Sequence, residues 1–432
     1  MKKFVLSLIL SVSLIGSAFC ENIFAHRFFE VKLDVPLAVS NNLVDLQSIF
    51  QETIVVDLPK IADSLKLDNG ARFVANASPS LSINLDIPRG LILGINVGAE
   101  ADVSFGLSPD IFVFIGRGNA SMGSEFKQQT TNTYVDLFAH AELTGGWNGK
   151  KNRIAVTGST FWPLAHLDAG DTYVALYNNE AENKYEAEAN VDAKMYAAAD
   201  FMHMEDMNKI INQAKSGMGF DIAADVQRDL FRFLTVGAKV RFPIVPGKLN
   251  WLSKVEYNMK YWVDFDELLN QNEQQGSSSS SESGSGSNSA FGSSVTPEEG
   301  GPSLEFSEMT TKPYEIHRPL KFGVSANFHP FGTLLSTSGY LGMGVRHPFA
   351  KDTKETQFYV DYSLAGKLSL WNVINLEVSH ACMDQIFKNQ IALSLNIRLV
   401  EVDAGVSFQS ASFAKSFTGA GVGAYVTVCI GF

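Results

Sequence analysis

Hydrophobic and polar positions alternate along most of this chain. From Leu91 the odd positions are Leu91, Leu93, Ile95, Val97, Ala99, Ala101, Val103, Phe105 and Leu107, with Asn96, Glu100, Asp102 and Ser104 among the even ones. A period of two held over so many residues is that of a strand with one apolar and one polar face. The pattern recurs at 31–39, 81–87, 135–143, 187–201, 234–242, 255–265, 358–370, 391–399 and 402–408. In the tract from 187 the polar face carries Glu186, Glu188, Asn190, Asp192 and Lys194. Several tracts outrun a soluble strand of about 5–6 residues. They suit the roughly 9–11 residues with which a tilted strand crosses a bilayer.

Soluble sandwiches use shorter strands, and a propeller or solenoid would show a fixed internal repeat, which this sequence lacks. The chain end decides between them. Counting back from Phe432, Ile430, Val428, Val426 and Ala424 are apolar at every second position. Bacterial outer-membrane barrels commonly end this way, so Val426, Val428, Ile430 and Phe432 are read as the signal taken up by the barrel-assembly machinery. The expected fold class is all-β, a transmembrane outer-membrane β-barrel seated in outer-membrane lipid.

The ends and interruptions of the pattern set the domain plan. Lys2 and Lys3, the apolar stretch 4–15, and Ala18 and Cys20 before the cut read as a signal peptide, 1–20; lipidation at Cys20 is the alternative. Residues 21–70 form a first strand followed by a hatch-like segment. Within it, 42–69 places Leu43, Leu46, Ile49 and Phe50 at helical spacing. An early non-strand element suggests a lumen plug; a turn or surface loop is the alternative. Residues 71–432 form the barrel. The Ser/Gly-rich tract 271–301, with Ser277 to Ser281 consecutive, cannot bury a core and reads as an extracellular loop. Residues 202–216 align Met204, Met207, Ile211 and Ala214 on one helical face, which packing on the barrel rim accounts for.

Composition narrows the function. Lys+Arg 34 against Asp+Glu 46 gives a net charge of −12, which argues against nucleic-acid binding. Three cysteines among 432 residues do not make a disulfide scaffold, and Cys382 and Cys429 are expected to be unpaired. No apolar run after Cys20 is long enough for a spanning helix. Motifs for phosphate cradles, zinc-protease helices and thiol pairs are missing. No enzyme activity, cofactor or metal is therefore expected. His140, between Asp136 and Glu142, reads as part of a hydrogen-bond network inside the barrel. His329-Pro330-Phe331 and His347-Pro348-Phe349 read as strand ends.

These features together resemble the FadL-like outer-membrane proteins of spirochaetes, the treponemal group above all. The stretches Val39-Ser40-Asn41-Asn42 and Ile54-Val55-Val56-Asp57-Leu58-Pro59-Lys60-Ile61-Ala62-Asp63 carry the likeness, with the Ser-rich middle loop and the terminal Phe. The resemblance implies about 14 antiparallel strands, an N-terminal hatch in the lumen, and uptake of long-chain fatty acid or another hydrophobic ligand. The Asn-Pro-Ala motif of the enterobacterial hatch is absent, so no ligand-binding residue is carried over. By strand position alone, Arg228, Arg232, Lys239 and Arg241 could balance a ligand carboxylate. A general porin and a surface-exposed adhesin or antigen are the alternative functions. If 271–301 lies outside the cell, protease added to intact cells should cut there first; protection until the membrane is broken would invert the orientation.

Overall fold

A computed structural model describes residues 27–43, 58–67, 70–117, 125–179, 184–199, 215–264, 303–332, 334–349, 356–371, 373–383, 385–397, 399–418 and 420–432. The expected signal peptide, the first half of the hatch-like segment, nearly all of the Met-lined helix and the Ser-rich loop lie outside the described residues. In chain order the elements begin with β1 (Phe29–Asn41), α1 (Leu58–Leu67), β2 (Ala71–Ala77), β3 (Ser80–Asp86), β4 (Leu91–Leu107), α2 (Asp110–Arg117) and β5 (Glu125–Gln129). Next come β6 (Tyr134–Asn148), β7 (Asn152–Asp168), β8 (Tyr173–Asn179), β9 (Lys184–Ala197), β10 (Gly219–Phe231), β11 (Leu234–Val245) and β12 (Gly247–Asp264). The chain finishes with β13 (Ser303–Ile316), β14 (Leu320–Phe328), β15 (Leu335–Arg346), β16 (Gln357–Leu370), β17 (Ile374–Met383), β18 (Ile386–Ile397), β19 (Val400–Ser410) and β20 (Gly421–Gly431).

The strands close into a 14-strand antiparallel barrel. β2 and β3 count as one strand, because β1 pairs with both in a single register broken only at Ser78-Pro79. The ring then runs β4, β6, β7, β10, β11 and β14 through β20. It shuts where β20 meets β1, with Leu33 opposite Val428 and Val31 opposite Ile430. Phe432 extends that seam: its N–H donates to the Phe29 carbonyl at 3.0 Å and its carbonyl accepts from Phe29 at 3.1 Å. Its ring lies 6.1 Å from those of Phe28 and Phe29. Val426, Val428 and Ile430 share the outward face of β20, while Tyr425 and Cys429 are buried on the inner one.

Alternation becomes two surfaces. Leu91, Leu93, Ile95 and Val97 face outward, and Ile95 is 52% exposed. The same holds for Phe358, Val360, Leu364, Leu393 and Val406 on other strands. An apolar belt continuous over the wall is a lipid-facing surface, since water would tolerate only small patches of it. Trp147, Phe231, Phe331, Trp371 and Phe432 gather at the end where β1 starts and β20 stops, as an interfacial aromatic girdle. Turns at that end are two to six residues long. Long connections gather at the other end.

The hatch-like segment emerges as the β1–β2 connection at the long-loop end. Its described part, α1, packs on α2 of the β4–β6 connection, with Ala62 and Leu65 buried.

One stretch of wall bends. β9 pairs with the far end of β7, from Ala165 opposite Ala197 to Asp168 opposite Lys194. β12 pairs with β9, and β13 with β12. β9, β12 and β13 thus continue the wall of β10, β11 and β14 beyond the barrel, and β8 and β5 widen this second sheet. The junction is one line across neighbouring strands, marked by Pro163, Pro246 and Pro319. Proline has no N–H to give to a ladder, so each removes a donor there. On β7 the register shifts by one residue between Leu137 and Phe138 of β6. The bend is tight: a Cβ on Gly247 would lie 2.5 Å from Pro163 Cδ, and one on Gly219 would lie 2.3 Å from Phe161 Cζ.

Phe432→Asp would place a charge at the interfacial end of the closing seam, at a cost of at most about 1 kcal/mol, and would remove the ring that lies against Phe28 and Phe29. The expected outcome is a clear drop in heat-modifiable barrel recovered from the outer membrane; undiminished yield would show that closure does not depend on the terminal ring.

Candidate functional site

Beside the bend, the inward positions of β6 read from the long-loop mouth downward: Asp136, Phe138, His140, Glu142. They anchor three layers of the lumen, because alternate residues of one strand stack along the barrel axis.

At the mouth, Asp136 Oδ1 lies 2.7 Å from His166 Nδ1 of β7. Its Oδ2 accepts from Arg346 Nη1 at 3.1 Å and lies 3.4 Å from His347 Nε2. Arg346 ends β15, sits 4.2 Å over the Tyr134 ring and is 3.8 Å from Asp102. The His166 ring stacks on Tyr314 at 4.9 Å, and Tyr314 stacks on Tyr196 at 4.2 Å. The His347-Pro348-Phe349 tripeptide is therefore more than a strand end. His347 has a φ of +46°, a left-handed backbone rare outside glycine, and its imidazole is buried against Asp136.

The middle layer is apolar. Phe138 and Phe161 meet edge to face at 5.9 Å and are buried with Ala198, Leu249 and Ile316. Tyr196 and Tyr314 pack against this group. Ala198, Leu249 and Ile316 come from the bent segment, so the wall supplies its own lumen filling.

The lower layer is ionic. Arg318, in the β13–β14 bend, is 0% exposed and donates to Glu100 at 2.6 Å, to Asp221 at 3.0 Å and to the Ser159 hydroxyl at 2.9 Å. Glu142 lies 3.5 Å from Arg318, and Arg241 joins Glu100 at 3.4 Å. Asn96 donates to Glu142 at 3.1 Å and reaches His140 at 3.5 Å, which gives His140 the network role its sequence position suggests. Three carboxylates thus share two guanidiniums. Burial of so many charges is tolerated only because each has a charged or hydrogen-bonding partner.

Of the four cations that strand position singles out, Arg241 is held in this network and Lys239 shares its lumen-facing parity. Arg228 lies on the outward face of β10, and Arg232 sits in the β10–β11 turn. Alternation does not single out Arg318; the His-Arg-Pro step ahead of a strand is the available signal. Cys382 and Cys429 are both buried and form no disulfide, as their distant strands suggest.

No protein-family model matches the chain, and no curated relative does. Among solved structures, the chain is similar to the toluene transporter TodX of Pseudomonas putida at 8% identity and a TM-score of 0.44, covering 98% of this chain and 95% of that one. It is also similar to the monoaromatic hydrocarbon channel CymD, at 9% identity, TM-score 0.42 and coverages of 94% and 89%. The translocator domain of the autotransporter NalP from Neisseria meningitidis follows at 7% and 0.32, with coverages of 100% and 96%. Values this low assign the chain to none of these families.

Arg318→Met should leave Glu100 and Asp221 buried without their main counter-charge and lower stability by about 3–5 kcal/mol. Urea unfolding in detergent or lipid vesicles measures this, and an unchanged midpoint would mean that the layer contributes nothing to the fold.

Proposed function

We propose that this protein is an outer-membrane channel for hydrophobic small molecules, entered from the long-loop end. The apolar layer of Phe138, Phe161, Leu249 and Ile316, set between two charged layers of an otherwise polar lumen, carries the reading. A water-filled porin gains nothing from a buried aromatic layer across its path, whereas an apolar solute needs one to leave water. The ionic layer beneath it seals the path to ions, because a passing ion would have to part Arg318 from its carboxylates.

The solute class follows from the same charges. Both guanidiniums of the lower layer are already shared by three carboxylates, so a long-chain fatty acid would bring a fourth anion to a negative site. A neutral apolar molecule meets no such opposition. Neutral solutes are therefore favoured, with fatty acids as the weaker class. The helices α1 and α2, packed together at the long-loop end, would limit entry, and the proline-marked bend offers a sideways exit to the membrane. The diffuse resemblance to FadL-like proteins supports a gated barrel of this kind.

Purified protein in planar bilayers should pass little ionic current, and it should bind a neutral naphthalene-type fluorophore that a fatty acid displaces poorly and a sugar not at all. Phe161→Asp should weaken that binding at least tenfold. Free passage of sugars with a stable ohmic current, or wild-type fluorophore binding by Phe161→Asp, would hand the function to the porin alternative.

A further inference from the structure

We propose that Asp136, His166 and His347 bind a divalent first-row transition cation at the long-loop mouth of the lumen. One ligand atom from each of the three lies within 4.8 Å of the others, and all three residues are buried. Two imidazoles and a carboxylate are the donor set that zinc, nickel, cobalt or ferrous iron prefers, and that calcium and magnesium do not.

Three observations point to a cation rather than to a closed hydrogen-bond set. The first is the state of His166. Its Nδ1 lies 2.7 Å from Asp136 Oδ1, while its buried Nε2 has no hydrogen-bond partner. With the proton on Nδ1, the Nε2 lone pair is buried without a donor. With the proton on Nε2, the Nδ1 lone pair faces a carboxylate oxygen, and the two repel. A cation taking both Nδ1 and Oδ1 as ligands removes that repulsion and leaves the Nε2 N–H, which has no acceptor among the described residues, as the one group of the ring still unsatisfied.

The second observation is charge. The buried Asp136 carboxylate shares the Arg346 guanidinium with Asp102, which lies 3.8 Å from it. A cation beside Oδ1 would complete a compensation that Arg346 divides between two acids.

The third is the division of labour on Asp136. Oδ1 faces His166, while Oδ2 accepts from Arg346 at 3.1 Å and lies 3.4 Å from His347 Nε2. A carboxylate that gives one oxygen to a metal and is oriented through the other by a hydrogen bond is a common outer-shell arrangement. Arg346 is itself fixed over Tyr134 and near Asp102, so it need not leave for the cation to enter. The site would tie the end of β15 to β6 and β7 across the mouth, and any coordination position left open would face the lumen.

The test uses full-length refolded protein in detergent. Zinc and cobalt are titrated against a chromophoric chelator, with calcium as the control, and bound metal is counted by elemental analysis. The expected result is one zinc or cobalt per chain, a visible cobalt absorption band of low-symmetry coordination, and no calcium. His166→Gln and His347→Gln should each weaken zinc at least tenfold and abolish the band. His380→Gln, which alters a histidine bonded to Tyr362 and Asn389, should leave both unchanged. Heat-modifiability confirms that each variant is folded. The proposal is overturned if wild-type protein binds zinc no better than calcium, or if folded His347→Gln keeps wild-type affinity and spectrum. The wild-type titration can refute the site on its own, so the test stands even where a variant fails to fold.

Discussion

Everything in this molecule depends on closing the backbone hydrogen-bond ladder. Inside hydrocarbon an unpaired N–H or C=O costs several kcal/mol, so a sheet with free edges cannot stay there. The seam between β20 and β1 removes the last edge, and the reciprocal pair between Phe29 and Phe432 carries it to the final residue. Once the ring is closed, strand alternation has a direction: one face of each strand meets lipid and the other meets the lumen.

The bend shows what happens when that rule is relaxed locally. Pro163, Pro246 and Pro319 withhold donors in neighbouring strands at one height, and the wall turns there instead of continuing straight. Gly219 and Gly247 let the turned wall come against Phe161 and Pro163 at a distance no Cβ would allow. A segment that would otherwise have formed rim then delivers Leu249, Ile316 and Arg318 to the interior. The apolar and ionic layers are both products of that displacement.

Charge explains why the filling holds its shape. Arg318 reaches carboxylates on β4, β6 and β10 at once, and Arg346 links β15 to β4 and β6. Such pairs add little net stability relative to apolar packing, but their geometry is exacting, and losing one partner strands the others. They fix which strands approach each other inside a barrel whose outer surface, being lipid, can impose no such choice.

By itself the sequence determined the alternating strands, the inward parity of Glu100, Asp102, Asp136, His140 and Glu142, and the apolar closing strand ending in Phe432. These follow from a period of two, which is local and needs no partner to be read. The helical spacing from Leu43 to Phe50 lies almost wholly outside the described residues, and α1 forms further along the same connection. Its place in the β1–β2 connection, packed on α2, was not legible, because helical spacing says nothing about which surface covers the apolar face. The paired role of Arg318 and the meeting of His166 with His347 were equally beyond the sequence. Arg318 lies 218 residues from Glu100, and a residue's distance across a lumen is set by strand order, register and the bend together. Alternation tells each side chain which way to point; only the closed and bent wall decides what it meets there.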